Sequence, residues 1–232
     1  MRAALAALLA ALALPAEAAC RLALALALDV SESVDGREYR LQLDGLAAAL
    51  EDAAVADILL SHPETPVALA AYEWSGPGAQ RLVLDWTPVT DPAALTRVVA
   101  HLRATDRALE PGATAIGEAL LHGEALVSRG PACWRQVIDI SGDGKSNTGP
   151  DPAALGGALG RITVNALVVG GDGEDWIDRR QVPIGELSSY FRTEVIRGPD
   201  AFVETALGYH DFRRAMTRKL LRELEGRALA AR

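Results

Sequence analysis

Residues 22–28 read Leu-Ala-Leu-Ala-Leu-Ala-Leu and run straight into Asp29-Val30-Ser31-Glu32-Ser33. An extended chain sends alternate side chains to opposite faces, so this run is apolar on both. Such a strand has to be covered on both sides, the condition of a central strand in a parallel sheet between two helical layers. Alanine at every second position leaves one face low enough for a helix to pack closely. The polar end constrains the chemistry. Asp29, Ser31 and Ser33 alternate along the chain and can converge where the strand stops. One carboxylate and two hydroxyls make a hard, oxygen-only donor set, suited to Mg²⁺ or Ca²⁺ and poor for zinc.

Strand-like and helix-like stretches alternate through the rest of the chain. Asp35 to about Leu60 reads as one long helix. Pro66–Trp74 and Gln80–Trp86 read as a hairpin around Ser75-Gly76-Pro77-Gly78. Asp91-Pro92 supplies the N-cap and first turn of a helix to about Ala104. Thr114 follows the Pro111-Gly112 loop and leads a helix to about Ser128. Arg135–Ile140 is a strand broken by Ser141-Gly142-Asp143-Gly144, and Asp151-Pro152 starts a further helix. Ile162–Val169 is a strand, Asp178–Tyr190 a helix, Ala201–Glu204 a short last strand, and about Tyr209 to Leu224 a closing helix. This order predicts a doubly wound, mostly parallel α/β sheet with helices on both faces and one antiparallel hairpin. Ligands of such sheets lie off the carboxyl ends of the strands, where Asp29 and Asp143 both fall.

The first residues have a positive charge at Arg2, an apolar stretch to Leu14, and Ala16-Glu17-Ala18-Ala19, the pattern of a cleaved secretory signal over residues 1–19. Glu17, three before Cys20, argues against lipidation. Residues 20–228 are then expected to be one exported domain, periplasmic or secreted, with no stable membrane insertion. A net charge of −8, from 23 Lys+Arg against 31 Asp+Glu, argues against a nucleic-acid partner. The two cysteines, Cys20 and Cys133, each open a strand, nine residues before Asp29 and ten before Asp143. If those strands are parallel neighbours, the sulfurs share one sheet edge. A bridge would close a loop of roughly a hundred residues, on the order of 4 kcal/mol in the chain-entropy model. Two free thiols are the alternative, which an oxidising compartment disfavours.

Asp29-x-Ser31-x-Ser33, Thr114 in Gly112-Ala113-Thr114-Ala115-Ile116, and Asp143-Gly144 after an apolar strand together resemble the metal-ion-dependent adhesion site of von Willebrand factor type A domains. The resemblance extends over nearly the whole chain after the signal, and in detail looks closest to a group of exported bacterial proteins of unknown function. It implies a strand order of 3-2-1-4-5-6, which makes the first and fourth strands neighbours and favours the Cys20–Cys133 bridge. It also implies a site for Mg²⁺, or Ca²⁺ or Mn²⁺. Ser31, Ser33 and Thr114 would be direct ligands, and Asp29 and Asp143 direct or water-mediated ones. One position would stay open for the Asp or Glu carboxylate of a protein partner.

Taken singly, the three hydroxyl residues read as helix caps or loop residues and Asp143-Gly144 as a turn. Taken together, in this order, they read as a cation site. Two lookalikes fail. Gly144-Lys145-Ser146 ends like a phosphate-binding loop but has Asp139 where the first glycine belongs. Asp139-x-Ser141-x-Asp143-Gly144 opens like a calcium-binding loop but has Pro150 at its twelfth position. Gly171-Asp172-Gly173-Glu174-Asp175 reads as a solvated turn, and Trp74 and Trp176 as packing residues near the site's edge. The expected function is a non-enzymatic, metal-dependent protein-binding module. The alternatives are a metal-assisted hydrolase, for which Ser31 stands where a second carboxylate is usual, and a structural subunit whose cation only ties loops together.

Overall fold

The computed structural model describes residues 20–171 and 182–225. The expected signal segment, the acidic turn beyond Gly171 and Trp176 lie outside the described residues. The central strand β1 (Cys20–Asp29) pairs in parallel with β2 (Val67–Trp74) on one side and β4 (Cys133–Gly142) on the other. Strand β3 (Gln80–Val89) runs antiparallel to β2 at one edge, and β5 (Thr163–Gly170) and β6 (Val203–Leu207) continue the other side in parallel. The six strands lie in the order β3-β2-β1-β4-β5-β6. This is the doubly wound architecture that the alternating pattern predicts.

The Leu/Ala alternation of β1 divides the interior in two. Leu22, Leu24, Leu26 and Leu28 face a core built with α1 (Gly36–Leu50), α2 (Ala53–Leu60), α3 (Pro92–Ala104) and α7 (Phe212–Glu225). Ala25 and Ala27 face a second core built with α4 (Ile116–Ser128) and α6 (Ile184–Tyr190). On the alanine side α4 comes very close: a Cβ added to Gly123 would fall 2.5 Å from the Tyr72 hydroxyl. Any side chain there would push the helix off the sheet. Trp74 is fully buried in this second core, as a packing residue.

Local details depart from the sequence reading where a polar side chain can compete for the backbone. The single helix expected over 35–60 is two, because Asp52 accepts from Ala54 N–H (3.1 Å) and starts α2 as its N-cap. At the front of α1, Asp35 and Glu38 close a capping box, with Asp35 Oδ1 accepting from Arg37 and Glu38 N–H at 2.8 and 2.9 Å. The helix expected after Asp151-Pro152 is only a 3₁₀ turn (Pro152–Leu155) and the short α5 (Gly156–Leu159). Gly156 and Gly157 give that segment little helical propensity. The final strand runs two to three residues later than expected, at Val203–Leu207. Among the described residues no helix is long and apolar enough to cross a membrane.

Cys20 and Cys133 face each other in the β1–β4 register and form a disulfide that joins positions 113 residues apart. Replacing both by serine is expected to lower the unfolding free energy by about 4–5 kcal/mol through the freed unfolded chain. Urea unfolding of the double variant measures this directly. A loss below about 1 kcal/mol would mean that the bridge closes a loop the denatured chain already keeps together.

Candidate metal centre

β1, β4 and the segment before α4 end at one edge of the sheet and bring the polar residues there. Asp29 is the last residue of β1 and is fully buried. Its Oδ1 accepts from Ser31 N–H at 2.8 Å, which turns the chain over the strand end. Its Oδ2 is buried with no hydrogen-bond partner. Ser31 Oγ lies 3.2 Å from Ser33 Oγ, and the Ser33 hydroxyl donates to Asp143 Oδ1 at 2.5 Å. Two carboxylates and two hydroxyls therefore meet across the β1 and β4 ends.

Thr114 approaches from the third segment. Its N–H donates to Asn147 Oδ1 (3.0 Å) and its carbonyl accepts from Asn147 N–H (2.9 Å), which fastens it to the loop after β4. A Cβ placed on Gly144 would lie 3.7 Å from Thr114 Oγ1, and one on Gly142 would lie 3.5 Å from Asp29 Oδ2. These distances place Thr114 Oγ1 against the loop at Gly144 and Asp29 Oδ2 against the end of β4 at Gly142. The Glu32 N–H donates to Gly112 O (2.8 Å) and ties the serine turn to the threonine segment.

None of the three hydroxyls is spent on a helix end. The cap of α1 is Asp35, and the residue ahead of α4 is Ala115, with no side-chain cap. The lookalike reading of Asp139 also fails in space, since its carboxylate pairs with Lys219 of α7 and not with Asp143.

Electrostatically the arrangement is unfinished. Burial pushes the Asp29 carboxyl up to about 8, and the charge of Asp143 adds to this against the opposing hydrogen bonds of Ser31 and of the Asp143 backbone N–H. A buried carboxylate oxygen without a donor, beside a second carboxylate, is costly unless a proton or a cation supplies positive charge. The donor set, two carboxylates and three hydroxyls, contains no nitrogen or sulfur and fits a hard divalent ion. Among the described residues no cluster of three or more His, Cys, Asp or Glu side chains could hold a metal ion, and this site itself has two carboxylates, with hydroxyls as its remaining donors.

Four supporting residues carry no sequence signal of their own. Gln42 on α1 donates to Asp29 O (2.9 Å), and the Ser141 hydroxyl donates to Gln42 Oε1 (2.7 Å) while accepting from Asp29 N–H (3.3 Å). This buried relay fixes the ends of β1 and β4 relative to each other. The Tyr209 hydroxyl, in the connection between β6 and α7, donates to Asp143 Oδ2 at 3.3 Å. Asn147 holds Thr114 as described. Each contact spans a long sequence separation, so periodicity could not reveal it.

Residues 19–228 match a family model described as "Protein of unknown function (DUF1194)". The chain belongs to the DUF1194 family. Comparison with curated proteins finds no match. Among solved structures, the DUF1194 chain is similar to proximal thread matrix protein 1 from the mussel byssus, at 15% identity over 90% of this chain and 49% of that one, with a TM-score of 0.63. Another structure of that protein, with zinc in its metal-ion-dependent adhesion motif, matches at 12% identity over 89% of this chain and 46% of that one, with a TM-score of 0.57. A von Willebrand factor type A protein from Catenulispora acidiphila matches at 14% identity, 88% and 43% coverage and a TM-score of 0.57. The pilus adhesin SpaC from Lactobacillus rhamnosus GG matches at 12% identity, 88% and 30% coverage and a TM-score of 0.58. The chain thus spans about half or less of these neighbours. At such identities the likeness establishes the von Willebrand factor type A fold and nothing further.

Proposed function

We propose that this DUF1194 chain is an exported, non-enzymatic protein-binding domain of adhesion type. A divalent cation held by Asp29, Ser31, Ser33, Thr114 and Asp143 would present an open coordination position to an Asp or Glu side chain of a protein partner. The observation that carries this reading is the buried, donorless Asp29 Oδ2 beside hydroxyls that cap no helix. When bound, the cation supplies positive charge and a Lewis-acidic site for an anionic oxygen. The chain's own residues orient the oxygens, exclude bulk water beneath them and keep Asp29 and Asp143 in register through Gln42 and Ser141. Structural neighbours that include a pilus adhesin and a byssal matrix protein, one with zinc in the equivalent motif, support the same reading. The oxygen-only set here favours Mg²⁺, Ca²⁺ or Mn²⁺.

The test is calorimetric titration of EDTA-treated protein with Mg²⁺, Ca²⁺ and Mn²⁺, beside Thr114→Ala. One-to-one binding that weakens at least about tenfold in the variant is the expected result, with folding unchanged because Thr114 caps no helix. Immobilised peptides bearing Asp or Glu should then retain the protein in the presence of the cation but not in EDTA. Their Asn and Gln counterparts should not retain it. Absence of heat with all three cations, or equal retention by amide peptides, would sink the reading.

A further inference from the structure

The segment between α3 and α4 brings more to the site than Thr114. It also contains Arg107, whose guanidinium reaches across to the turn that carries Ser31 and Ser33. Arg107 Nη1 donates to Val34 O at 2.7 Å and Nη2 to Val30 O at 2.5 Å, with a longer 3.5 Å contact to Ser31 O. Its Nε donates to Leu109 O at 3.3 Å, within its own segment. One planar group therefore takes the carbonyls at both ends of the turn, and the two metal-directed serines lie between them. Apart from the guanidinium, Val30 N–H donates to Trp74 O (2.9 Å) and ties that end to the sheet, whereas Val34 N–H donates to Ser31 O (3.0 Å) within the turn itself, so the fork is what fastens the Val34 end to the Thr114 segment.

The guanidinium is itself braced. It lies 6.0 Å from the centre of the Tyr39 ring, and the Tyr39 hydroxyl donates to the buried Glu73 at 2.6 Å. Arg81 donates to the same carboxylate from Nε and Nη2, at 3.1 and 3.2 Å, and from Nη2 to Asp106 O at 3.0 Å. Arg40 donates to Thr105 O at 2.6 Å. The two residues before Arg107 are thus fixed by arginines from β3 and α1.

We propose that Arg107 is a positioning residue of the cation site, holding the Ser31/Ser33 turn against the Thr114 segment so that the hydroxyls stand preorganised before a cation arrives. This rests on the metal reading given above. The fork geometry matters because a lysine ammonium has no planar pair of donors to span both carbonyls. Charge and geometry predict opposite outcomes. A fixed positive charge beside the turn repels a cation, so loss of charge alone would tighten binding. Loss of the fork frees the turn and makes the cation bear its ordering cost, which weakens binding.

The test compares Arg107→Lys and Arg107→Ala with the unaltered chain by Mn²⁺ and Mg²⁺ calorimetry, alongside metal-free thermal unfolding. The double change Cys20→Ser, Cys133→Ser, at the far end of β1 and β4 from the site, serves as a control for general loss of stability. Expected are an affinity about tenfold lower in both Arg107 variants and recovery of Arg107→Ala by millimolar methylguanidinium. The control should lose stability without recovering any function from that additive. Unchanged or tighter binding in the folded variants would overturn the role of Arg107 and leave the cation site standing. Affinity that falls only in step with melting temperature, with no rescue, would reduce Arg107 to a general structural contact. If the unaltered chain takes up neither cation, the metal reading fails, and the proposal for Arg107 with it.

Discussion

Replacing Lys219 by methionine is expected to cost about 3–5 kcal/mol of stability at pH 8, because it strands two buried carboxylates. Lys219 lies on α7 with its ammonium fully buried, 2.7 Å from Asp139 Oδ1 on β4 and 2.8 Å from Glu223 Oε1 on its own helix. Asn165 Nδ2 donates to the same Glu223 oxygen at 2.8 Å, and Arg135 Nη1 reaches the Glu223 carbonyl at 3.0 Å. The Phe202 ring covers the ammonium at 4.8 Å and carries Arg222 at 3.9 Å. Two carboxylates share one ammonium, so burial first, and then Glu223, push Asp139 up to about 8, against the pull of Lys219.

The pH dependence follows from the sign of that shift. The folded protein keeps a proton that an unfolded Asp releases near 3.8, so stability falls as pH rises from about 4 to about 8. Without Lys219 the pull that opposes the Asp139 shift is gone, and the variant should lose most at alkaline pH and recover toward pH 5, where Asp139 is neutral. Urea unfolding at pH 5 and pH 8 measures both effects. The triple change Lys219→Met, Asp139→Asn, Glu223→Gln should recover much of the loss at pH 8, since no buried charge is left. A Lys219→Met loss that is small and independent of pH would mean that water reaches the cluster.

How far these features could be read from the chain depended on whether their signal was local. The Leu/Ala alternation of residues 22–28 is a property of neighbouring residues and predicted both the central strand and its unequal faces. Asp91-Pro92 and the Ser75–Gly78 turn are equally local. Asp29 and Asp143 stood out because they follow apolar strands, and Ser31 and Ser33 because they alternate with Asp29; Thr114 was picked out through the resemblance that joins the three segments. Lys219 had no such mark. It stands among Arg213, Arg214, Arg218 and Arg222, and nothing in its neighbours along the chain singles it out. Only packing on the sheet separates it from them, through an aspartate on a strand far back in the chain. Gln42, Ser141 and Arg107 were hidden for the same reason. The break at Asp52 is local, but a side chain that can cap a helix can also sit in one, and the apolar spacing across it suits either outcome.

Asp29→Asn is expected to divide the two roles of that carboxylate: cation binding should be lost while the metal-free protein becomes no less stable, and even more so near neutral pH. The unaltered side chain is fully buried, lacks a donor at Oδ2 and faces the charge of Asp143. Asparagine keeps the volume and the Oδ1 contact with Ser31 N–H but removes the charge. Because the folded carboxyl is raised to about 8, its contribution to stability declines as pH climbs from about 4 to about 8. The variant should lose that part of the slope and keep the part due to Asp139. With a cation in hundredfold excess over its Kd, the unaltered protein should gain about 2.7 kcal/mol, and the variant nothing. Thermal unfolding in EDTA and in excess Mg²⁺ measures both quantities. Should Asp29→Asn destabilise the metal-free fold by more than about 2 kcal/mol, the beyond-binding role of Asp29 would be to hold the Ser31 turn in place. If the cation stabilises both proteins equally, it binds elsewhere. A carboxylate that lowers stability when empty and raises it when filled is what distinguishes a binding position from a cap, because a cap contributes its hydrogen bond under both conditions.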